Sequence, residues 1–446
     1  MTDGSLRMTP FDVQLSRRQW LGGAAIAGVT LGWPGLSRAQ DSAAEWPHVE
    51  QLIQSYVGGH KVANMVAPLG WGQQAPAVLA QGTLALGGTQ PASADSLYRW
   101  YSMTKPITGM AAMILIDEGK LALDQPLHEI IPAFKSMQVQ KAYDGPITPD
   151  NLEPATRPIT IRMLLTHTSG LGYAIIQKGP LRKAYLDRGI VPAFASKLPI
   201  PELHIDKSVD GLAEFADAIA QMPLVYQPGT RWSYSAGLDV MGRVIEVVSG
   251  QAFDAFLQQR IFGPTGMTST WFQVPRSEVA RLTTNYAVVN DLLVPIDMPA
   301  NSIFLDPPPV KLGGGGLAGS PRDYDRFLQM LAGYGSIDGK RVMSEAAVRM
   351  GTSNLMPESA QSSAPGSEVS FDAQRYGFGA GGRVGKGAET GIYGWAGAAG
   401  TIGFVDMRRG LRGGLFAQFM PDSAYPLHTG FPAAVAADVV SRKAAA

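Results

Sequence analysis

The sequence contains no cysteine among its 446 residues, and this absence excludes several kinds of chemistry. Without cysteine there can be no disulfide, no thiol nucleophile, no cysteine-ligated zinc and no lipidated N-terminal cysteine. The six histidines are scattered and no H-E-x-x-H motif occurs, so neither a metal nor any other cofactor is predicted. The 37 basic and 37 acidic residues cancel and form no basic block, so nucleic acid is not an expected partner.

The sequence also lacks an apolar run of the roughly 20 residues that a membrane-spanning helix needs. Arg17 and Arg18 precede a shorter apolar stretch at residues 21–33, and the small residues Ser37 and Ala39 suit cleavage after Ala39. We therefore predict that residues 1–39 are a removed twin-arginine export signal rather than an N-terminal membrane helix. The mature protein is then expected to be periplasmic or secreted, without stable membrane association.

Two common active-site signatures are missing as well. No G-x-S-x-G occurs, and the nearest approach to it surrounds Ser320, so a nucleophile elbow of the α/β-hydrolase type is not supported. The glycine run at residues 313–316 is not followed by Lys-Ser or Lys-Thr, so it is not a phosphate-binding loop. We interpret this run as a place where backbone segments approach each other closely.

The distribution of apolar residues indicates strands near both ends of the chain and helices between them. Strands are predicted at residues 62–69 and 77–86 with a turn at 70–75, further short strands at 376–419, and a closing helix at 431–440. Asp323 and Asp325 are expected to face solvent at the start of another helix. This order predicts a discontinuous α/β domain at residues 40–125 and 305–446, with a helical domain inserted at residues 126–304.

A serine and a lysine three positions apart, Ser102 and Lys105, stand directly before an amphipathic run. Residues three apart share a helix face, which brings the lysine amine within reach of the serine hydroxyl. A serine hydroxyl needs such a nearby base to act as a nucleophile, and a helix N-terminus offers free N–H groups to an oxyanion. The same pattern also arises from a capping serine beside a solvent-facing lysine, and the pair alone does not separate the two interpretations.

Further segments in a specific order resemble the serine β-lactamase and penicillin-binding protein superfamily, and most closely the family VIII carboxylesterases. The resemblance covers nearly all of the chain after the export signal. It is carried by the segments S-M-T-K at 102–105, L-L-T-H-T-S-G at 164–170, P-G-T-R-W-S-Y at 228–234, I-F-G-P-T-G-M at 261–267, G-G-G-L at 314–317 and D-Y-D-R-F at 323–327. It implies the class C β-lactamase-like fold, α/β plus α, in which an antiparallel sheet is flanked by helices and carries an inserted helical domain.

The resemblance also implies roles for individual residues. Ser102 corresponds to the nucleophile, Lys105 to the residue that shares or removes its proton, and Tyr234 to the general base that later acts as an acid. An oxyanion hole is implied at the backbone N–H groups of Ser102 and Ala398. A lysine beside a tyrosine favours the phenolate, since an opposite charge stabilises the ionised form. Without the resemblance, Tyr234 reads as an ordinary core aromatic. His167 is expected to be structural, because this mechanism has no step for a histidine.

Two departures from the lactamase pattern bear on the substrate. Ala236 replaces the asparagine of the family's Y-x-N element, and the K-T-G element reads Trp395-Ala396-Gly397. An amide that contacts the substrate's amide group and a cation that holds its carboxylate are both absent from these positions. We expect Trp395, Ala396, Gly397 and Trp232 to bind a neutral, fairly apolar substrate. Simple packing is the alternative role for Trp395. Tyr173, Tyr376 and Phe378 are further candidates for the pocket lining.

These features predict a serine carboxylesterase that hydrolyses small to medium, fairly apolar esters through an acyl-enzyme on Ser102. The expected partner is a small-molecule ester. Other enzymes of the same fold remain alternatives, namely a β-lactamase, a D-amino-acid peptidase or amide hydrolase, and an acyltransferase. A non-catalytic peptidoglycan-binding protein is an alternative from a different class, although Ser102, Lys105 and Tyr234 are all present.

Overall fold

The computed structural model describes residues 44–200, 205, 207–360, 372 and 374–445. Its largest sheet has seven antiparallel strands in the order β12-β13-β14-β15-β16-β1-β2. Strands β1 and β2 come from the beginning of the described chain and β12 to β16 from its end, so this one sheet combines both parts of the chain. The strands in chain order are β1 Asn64–Trp71, β2 Ala77–Gly82, β3 Tyr98–Arg99, β4 Gln138–Gln140, β5 Leu152–Pro154, β6 Thr270–Trp271, β7 Asn285–Val289, β8 Leu292–Asp297, β9 Ala318–Gly319, β10 Ser336–Ile337, β11 Lys340–Arg341, β12 Tyr376–Phe378, β13 Arg383–Gly385, β14 Ile392–Gly397, β15 Thr401–Asp406, β16 Leu411–Leu415 and β17 Phe419–Met420.

The main sheet is buried on both faces because helices cover each side. In β1, Val66 faces one hydrophobic core, whereas Met65 and Ala67 face the other, as the alternation of side chains along a strand requires. The second core also contains residues of the first and last helices, for example Ile53 and Phe431. The helices are Pro47–Val57, Thr104–Asp117, Ile161–Leu165, Pro180–Asp187, Gly211–Ala220, Gly237–Ser249, Phe253–Leu257, Gly263–Thr265, Pro321–Ala332, Glu345–Gly351 and Leu427–Ala445.

The helix that follows the Ser-x-x-Lys pair, Thr104–Asp117, is buried all round for its first three turns. A helix that is apolar on every side belongs in the middle of a core rather than on its surface. Its Gly109 lies against the chain at Ala380, where an added Cβ would be only 2.0 Å from the Ala380 carbonyl oxygen. This close approach joins the helix that carries the pair to the segment between β12 and β13.

Three local predictions were wrong. The first strand continues to Trp71, so the predicted turn starts too early, and the last helix begins at Leu427 rather than at residue 431. Asp323 and Asp325 are buried rather than solvent-facing. Asp325 accepts a 2.7 Å hydrogen bond from Nε of Arg412 on β16, a partner 87 residues away that no local pattern reveals.

The middle of the chain holds strands as well as helices. β6 pairs with β9, and β7 pairs in parallel with β17, so both pairings cross position 304/305. The division at 125/126 and 304/305 into two domains stays a prediction. The predicted export signal, residues 1–39, lies outside the described residues. Within the described ranges, no helix is both long and apolar enough to cross a bilayer.

Candidate active site

Ser102 lies in a single 3-10 turn, Tyr101–Met103, immediately before the buried helix Thr104–Asp117. The residue before it, Tyr101, has a φ of +46°, a left-handed conformation that is costly for a side chain with Cβ. Its ring is fixed edge-on against Phe304, and its hydroxyl accepts a 3.4 Å contact from the amide of Asn285. The surrounding packing therefore enforces the sharp turn that presents Ser102.

The lysine three residues later is fully buried and points at the serine. Lys105 Nζ lies 3.2 Å from Ser102 Oγ and donates a 2.6 Å hydrogen bond to the carbonyl oxygen of Gly314. Its amine also lies 4.6 Å from the ring centroid of Tyr234 and 5.4 Å from that of Tyr173. A buried ammonium is costly unless it is paired or hydrogen-bonded, so these contacts hold it in one position. The solvent-facing alternative for Lys105 is wrong.

Tyr234 approaches the same hydroxyl from the other side. Its Oη lies 2.7 Å from Ser102 Oγ, although the two residues are 132 positions apart. Tyr234 precedes the helix Gly237–Ser249, and an added Cβ at Gly237 would lie 2.7 Å from the carbonyl oxygen of Leu164. That contact presses the tyrosine-bearing segment against the L-L-T-H-T-S-G segment.

His167, in the L-L-T-H-T-S-G segment, packs against the ring of Tyr234, and its hydrogen bonds in the described structure go to Ser235 rather than to Ser102. Its Nδ1 accepts a 3.2 Å hydrogen bond from the backbone N–H of Ser235, which leaves the ring proton on Nε2. Burial, together with the nearby charge of Lys105, holds the pKa of His167 well below its usual value, so the imidazole is neutral. Its ring lies 4.8 Å from that of Tyr234. This placement agrees with the structural role expected for His167.

The W-A-G segment forms the end of β14, and strand alternation gives its residues different surroundings. Trp395 packs at 5.7 Å from the Tyr234 ring and 5.1 Å from Phe378, and its Nε1 lies 3.4 Å from Tyr234 Oη. Ala396 packs against the second core, on the opposite face of the sheet. Of the two side chains, only that of Trp395 faces the site.

Gly397 is the point at which this sheet meets the turn that holds Ser102. An added Cβ there would lie 2.2 Å from the carbonyl oxygen of Trp100, two residues before Ser102. Ala398 follows in the tight turn between β14 and β15, next to this contact. The proximity supports an oxyanion hole at the N–H groups of Ser102 and Ala398, which stays a prediction.

The remaining predicted residues occupy positions around this centre. Trp232 is buried and stacks on Tyr234 with 6.3 Å between the ring centroids, so it helps to hold the Tyr234 ring in place. Tyr173 meets Tyr234 edge-on at 5.5 Å. Tyr376 instead packs against the guanidinium of Arg383, whose Cζ lies 3.9 Å from the centroid of the Tyr376 ring. A direct contact of Trp232 with substrate stays a prediction.

Asp239 belongs to the same centre, although its sequence context did not single it out. This buried carboxylate accepts a 2.7 Å hydrogen bond from the N–H of Gly314, the residue whose carbonyl oxygen accepts the hydrogen bond from Lys105. Its second oxygen has no hydrogen-bond partner among the described residues. Burial raises the pKa of Asp239 to about 6, against the opposing effect of the Lys105 charge. In sequence it reads as an ordinary acid at a helix start, because Gly314 is 75 positions away.

A hydroxyl held between an amine and a phenol can lose its proton to the unprotonated form of either group and attack an electrophilic carbon. In the described part of the chain, no group of three or more His, Asp or Glu residues could hold a metal ion. The fold and this centre together define the class of protein, a serine hydrolase of the β-lactamase-like type.

Comparisons with known proteins identify the family. Residues 49–436 match the profile of the Beta-lactamase family, and the chain belongs to that family. It is 31% identical to lovastatin esterase of Penicillium rubens over 355 residues, which covers 74% of this chain and 82% of that protein. It is 37% identical to the Mycobacterium tuberculosis protein Rv1367c over 260 residues, which covers 58% of this chain and 60% of that protein. The chain therefore spans about 60% of the length of this second relative.

Solved structures show the same fold. EstCE1, a hydrolase with promiscuous acyltransferase activity, superposes with a TM-score of 0.67 at 21% identity. The superposition covers 87% of this chain and 98% of the EstCE1 chain. The family resemblance and the fold class predicted from the sequence are thereby confirmed.

Proposed function

We propose that the protein is a serine carboxylesterase that hydrolyses small to medium, fairly apolar esters through an acyl-enzyme on Ser102. The observation that carries the proposal is the convergence on one hydroxyl: Tyr234 Oη lies 2.7 Å and Lys105 Nζ 3.2 Å from Ser102 Oγ. The relatedness to lovastatin esterase supports ester chemistry, because this chain covers 82% of that enzyme.

In the first half-reaction, Ser102 Oγ attacks the ester carbonyl carbon while its proton passes to the Tyr234 phenolate, which Lys105 stabilises. The carbonyl oxygen becomes an oxyanion, for which the N–H groups of Ser102 and Ala398 are the proposed donors. The bond to the alkoxide then breaks, and Tyr234 returns the proton so that a neutral alcohol leaves. The acyl group remains on Ser102 as an ester.

In the second half-reaction, water attacks the acyl carbon and gives a proton to Tyr234. The tetrahedral intermediate collapses, the carboxylic acid leaves, and Ser102 recovers its proton. Asp239 and Gly314 keep Lys105 beside both groups throughout. No cofactor enters either half-reaction.

The preference for esters over lactams rests on Trp395. An indole ring occupies the place where the related lactamases carry a cation, and it packs against Tyr234 and Phe378. A flat apolar side chain gives no charge to hold a substrate carboxylate, but it can contact an apolar group. The partner we propose is accordingly a neutral small-molecule ester.

Turnover of p-nitrophenyl butyrate compared with a chromogenic cephalosporin tests this proposal. The ester should be the faster substrate, Ser102→Ala should abolish its hydrolysis, and Tyr234→Phe should lower it by roughly 10²–10⁴-fold, as expected for lost acid–base catalysis. Matched controls are Ser55→Ala on the exposed face of the first helix and Tyr56→Phe, which packs against Tyr425 far from the site. A much faster reaction with the cephalosporin would refute the ester preference.

Acyl transfer to an alcohol is a second candidate activity, because EstCE1 combines hydrolysis with acyltransferase activity. In that case a second alcohol replaces water in the second half-reaction. Adding an acceptor alcohol to the p-nitrophenyl butyrate assay should then yield a butyrate ester of that alcohol. Formation of butyric acid alone would exclude transfer to the acceptor used.

We also propose export by the twin-arginine route with cleavage after Ala39. The support is the sequence pattern around Arg17 and Arg18. In a bacterial host, the mature protein should begin at Gln40 and accumulate in the periplasm. Replacing both arginines by lysine should retain the full-length precursor in the cytoplasm, and unchanged export would refute the route.

A further inference from the structure

A buried ion pair is anchored three positions before Ser102. Arg99 ends the short strand β3, and its side chain is buried together with that of Asp297, the last residue of β8. Nε of Arg99 donates a 2.6 Å hydrogen bond to Oδ2 of Asp297, and Nη2 lies 2.5 Å from the same oxygen. Neither residue takes part in the two half-reactions described above.

The guanidinium of Arg99 joins segments that are far apart along the chain. Its N–H groups donate to the carbonyl oxygen of Thr283 at 2.7 Å, and to Ser302 Oγ and the amide oxygen of Gln418 at 3.2 Å each. The amide of Gln418 also binds the Arg99 backbone, accepting from its N–H at 3.0 Å and donating to its carbonyl oxygen at 3.2 Å. Because its side chain and both of its backbone polar groups are bound, Arg99 is held in one position.

The carboxylate of Asp297 holds a second segment, the single 3-10 turn Ile303–Leu305. Its Oδ1 accepts a 2.9 Å hydrogen bond from the first N–H of that turn. The turn carries Phe304, whose ring packs edge-on against that of Tyr101 with 6.1 Å between the centroids. The ion pair therefore reaches Tyr101 in two ways, along the backbone from Arg99 and through the Phe304 ring.

The conformation of Tyr101 is the feature that needs this support. A φ of +46° costs of order 1–3 kcal/mol and persists only where the surrounding structure enforces it. An ordinary negative φ would turn Ser102 away from Lys105 and Tyr234, whose polar atoms lie 3.2 Å and 2.7 Å from Ser102 Oγ. A misplacement of about 1 Å at a reacting atom can lower a rate by about 10²-fold.

Stability alone does not explain why the pair is charged. Replacing a buried ion pair by apolar side chains of similar volume is often neutral or even stabilising. Apolar side chains do not supply direction, whereas a planar guanidinium fixes the line of each N–H and so fixes the groups that it binds. The charges of Arg99 and Asp297 are therefore explained by the geometry that they impose on the neighbouring turn.

We propose that Arg99 and Asp297 are positioning residues for the nucleophile. Their ion pair holds Tyr101 in its left-handed conformation and thereby keeps Ser102 Oγ between the amine and the phenol that exchange its proton. The inference rests on the proposed role of Ser102 and adds to it the residues that orient this side chain.

The rate of fluorophosphonate labelling at Ser102 measures this positioning. Replacing the pair by Arg99→Met with Asp297→Leu should slow labelling roughly 10- to 100-fold and lower kcat/KM for p-nitrophenyl butyrate by a similar factor. The matched control, Arg412→Met with Asp325→Leu, makes the same replacement in another buried pair and should label at nearly the wild-type rate. All rates are compared at a temperature at which circular dichroism shows each variant to be folded.

Tyr101→Gly separates positioning from general support of the fold. Glycine adopts a positive φ without strain, so the enforcement by the ion pair matters less in this background. Removing the pair should then slow labelling by a much smaller factor than it does in the wild type. A loss of equal size in both backgrounds would overturn the link to the strained turn.

Arg99→Lys provides a test that does not depend on the folding of the apolar variant. Lysine keeps the charge beside Asp297 but lacks the planar set of N–H groups, so labelling should be slower than in the control Arg412→Lys. Wild-type rates in both Arg99 variants, or an equal loss in the Arg412 controls, would overturn the positioning role alone. An absence of both Ser102 labelling and ester turnover in the wild-type protein would overturn the proposed function and this inference together.

Discussion

The buried carboxylate of Asp239 leads to a prediction about the direction in which the free energy of unfolding changes with pH. The perturbation is Asp239→Asn, which keeps an oxygen for the N–H of Gly314 but removes the ionisable group. In the folded protein burial raises the pKa of Asp239 from 3.8 to about 6. The titratable groups near it are Lys105, which favours the anion, and the phenol of Tyr173, whose own pKa is raised in part by Asp239.

The magnitude follows from the two pKa values. A folded-state pKa above the unfolded value means that the native protein binds the proton more tightly, so ionisation of Asp239 costs stability. The cost is absent below about pH 3.8, grows as pH rises to about 6, and is complete above that. At about 1.36 kcal/mol per pH unit it reaches about 3 kcal/mol, of which about 2 kcal/mol develops between about pH 4.5 and pH 8.

Urea denaturation of the wild type and of Asp239→Asn at several pH values measures this term. Any change in hydrogen bonding caused by asparagine shifts the free energy of unfolding by the same amount at every pH. The cost of ionising Asp239, in contrast, changes with pH. The stability of the variant relative to the wild type should therefore rise by about 2 kcal/mol from about pH 4.5 to pH 8. A difference that is flat with pH, or that falls, would refute the assignment of a destabilising buried anion.

The same variant should be a poorer enzyme, because the anion and Gly314 hold Lys105 in place. If the ionised form is the active one, wild-type kcat/KM for p-nitrophenyl butyrate should fall as pH drops through about 6, the pKa of Asp239. Asp239→Asn should lose this dependence and have a lower kcat/KM at neutral pH. A residue with only a packing role would leave the pH profile of the remaining activity unchanged.

Three further predictions concern other parts of the molecule. Trp395→Lys should lower kcat/KM for p-nitrophenyl butyrate roughly 10-fold by removing apolar contact, and equal or higher activity would contradict the role of the indole. Gly109→Ala should lower the free energy of unfolding by about 1–3 kcal/mol in urea denaturation, because the new methyl group meets the Ala380 carbonyl oxygen at 2.0 Å; wild-type stability would contradict that close contact. Asp325→Leu should lower the free energy of unfolding by about 3–5 kcal/mol in the same assay, because Arg412 stays buried without its carboxylate partner. The double variant with Arg412→Met should recover most of this lost stability. A double variant no more stable than Asp325→Leu would contradict the pairing.

The sequence predicted those parts of the fold that local patterns and motif order determine. Apolar spacing placed a helix directly after Ser102, where the structure has Thr104–Asp117. The motifs supplied the family, and with it the candidate residues Ser102, Lys105 and Tyr234.

The sequence could not predict contacts between distant segments. Asp325 reads as a surface acid until β16 brings Arg412 to it, and Asp239 reads as a helix-start acid until the glycine run supplies the N–H of Gly314. A cavity lined in part by Phe194, Phe272 and Phe304 has the same origin, because these residues come from separate segments that only the fold brings together. In each case the decisive partner lies far away along the chain and carries no local signal.

Labelling with a fluorophosphonate followed by tryptic peptide mapping tests the role of Ser102 most directly. Because trypsin does not cut between Lys105 and Pro106, the relevant peptide comprises residues 100–120, in which Ser102 is the single serine. We predict one adduct on this peptide in the wild type and none in Ser102→Ala. An adduct on a different serine, or labelling that persists in Ser102→Ala, would contradict the assignment of Ser102 as the nucleophile.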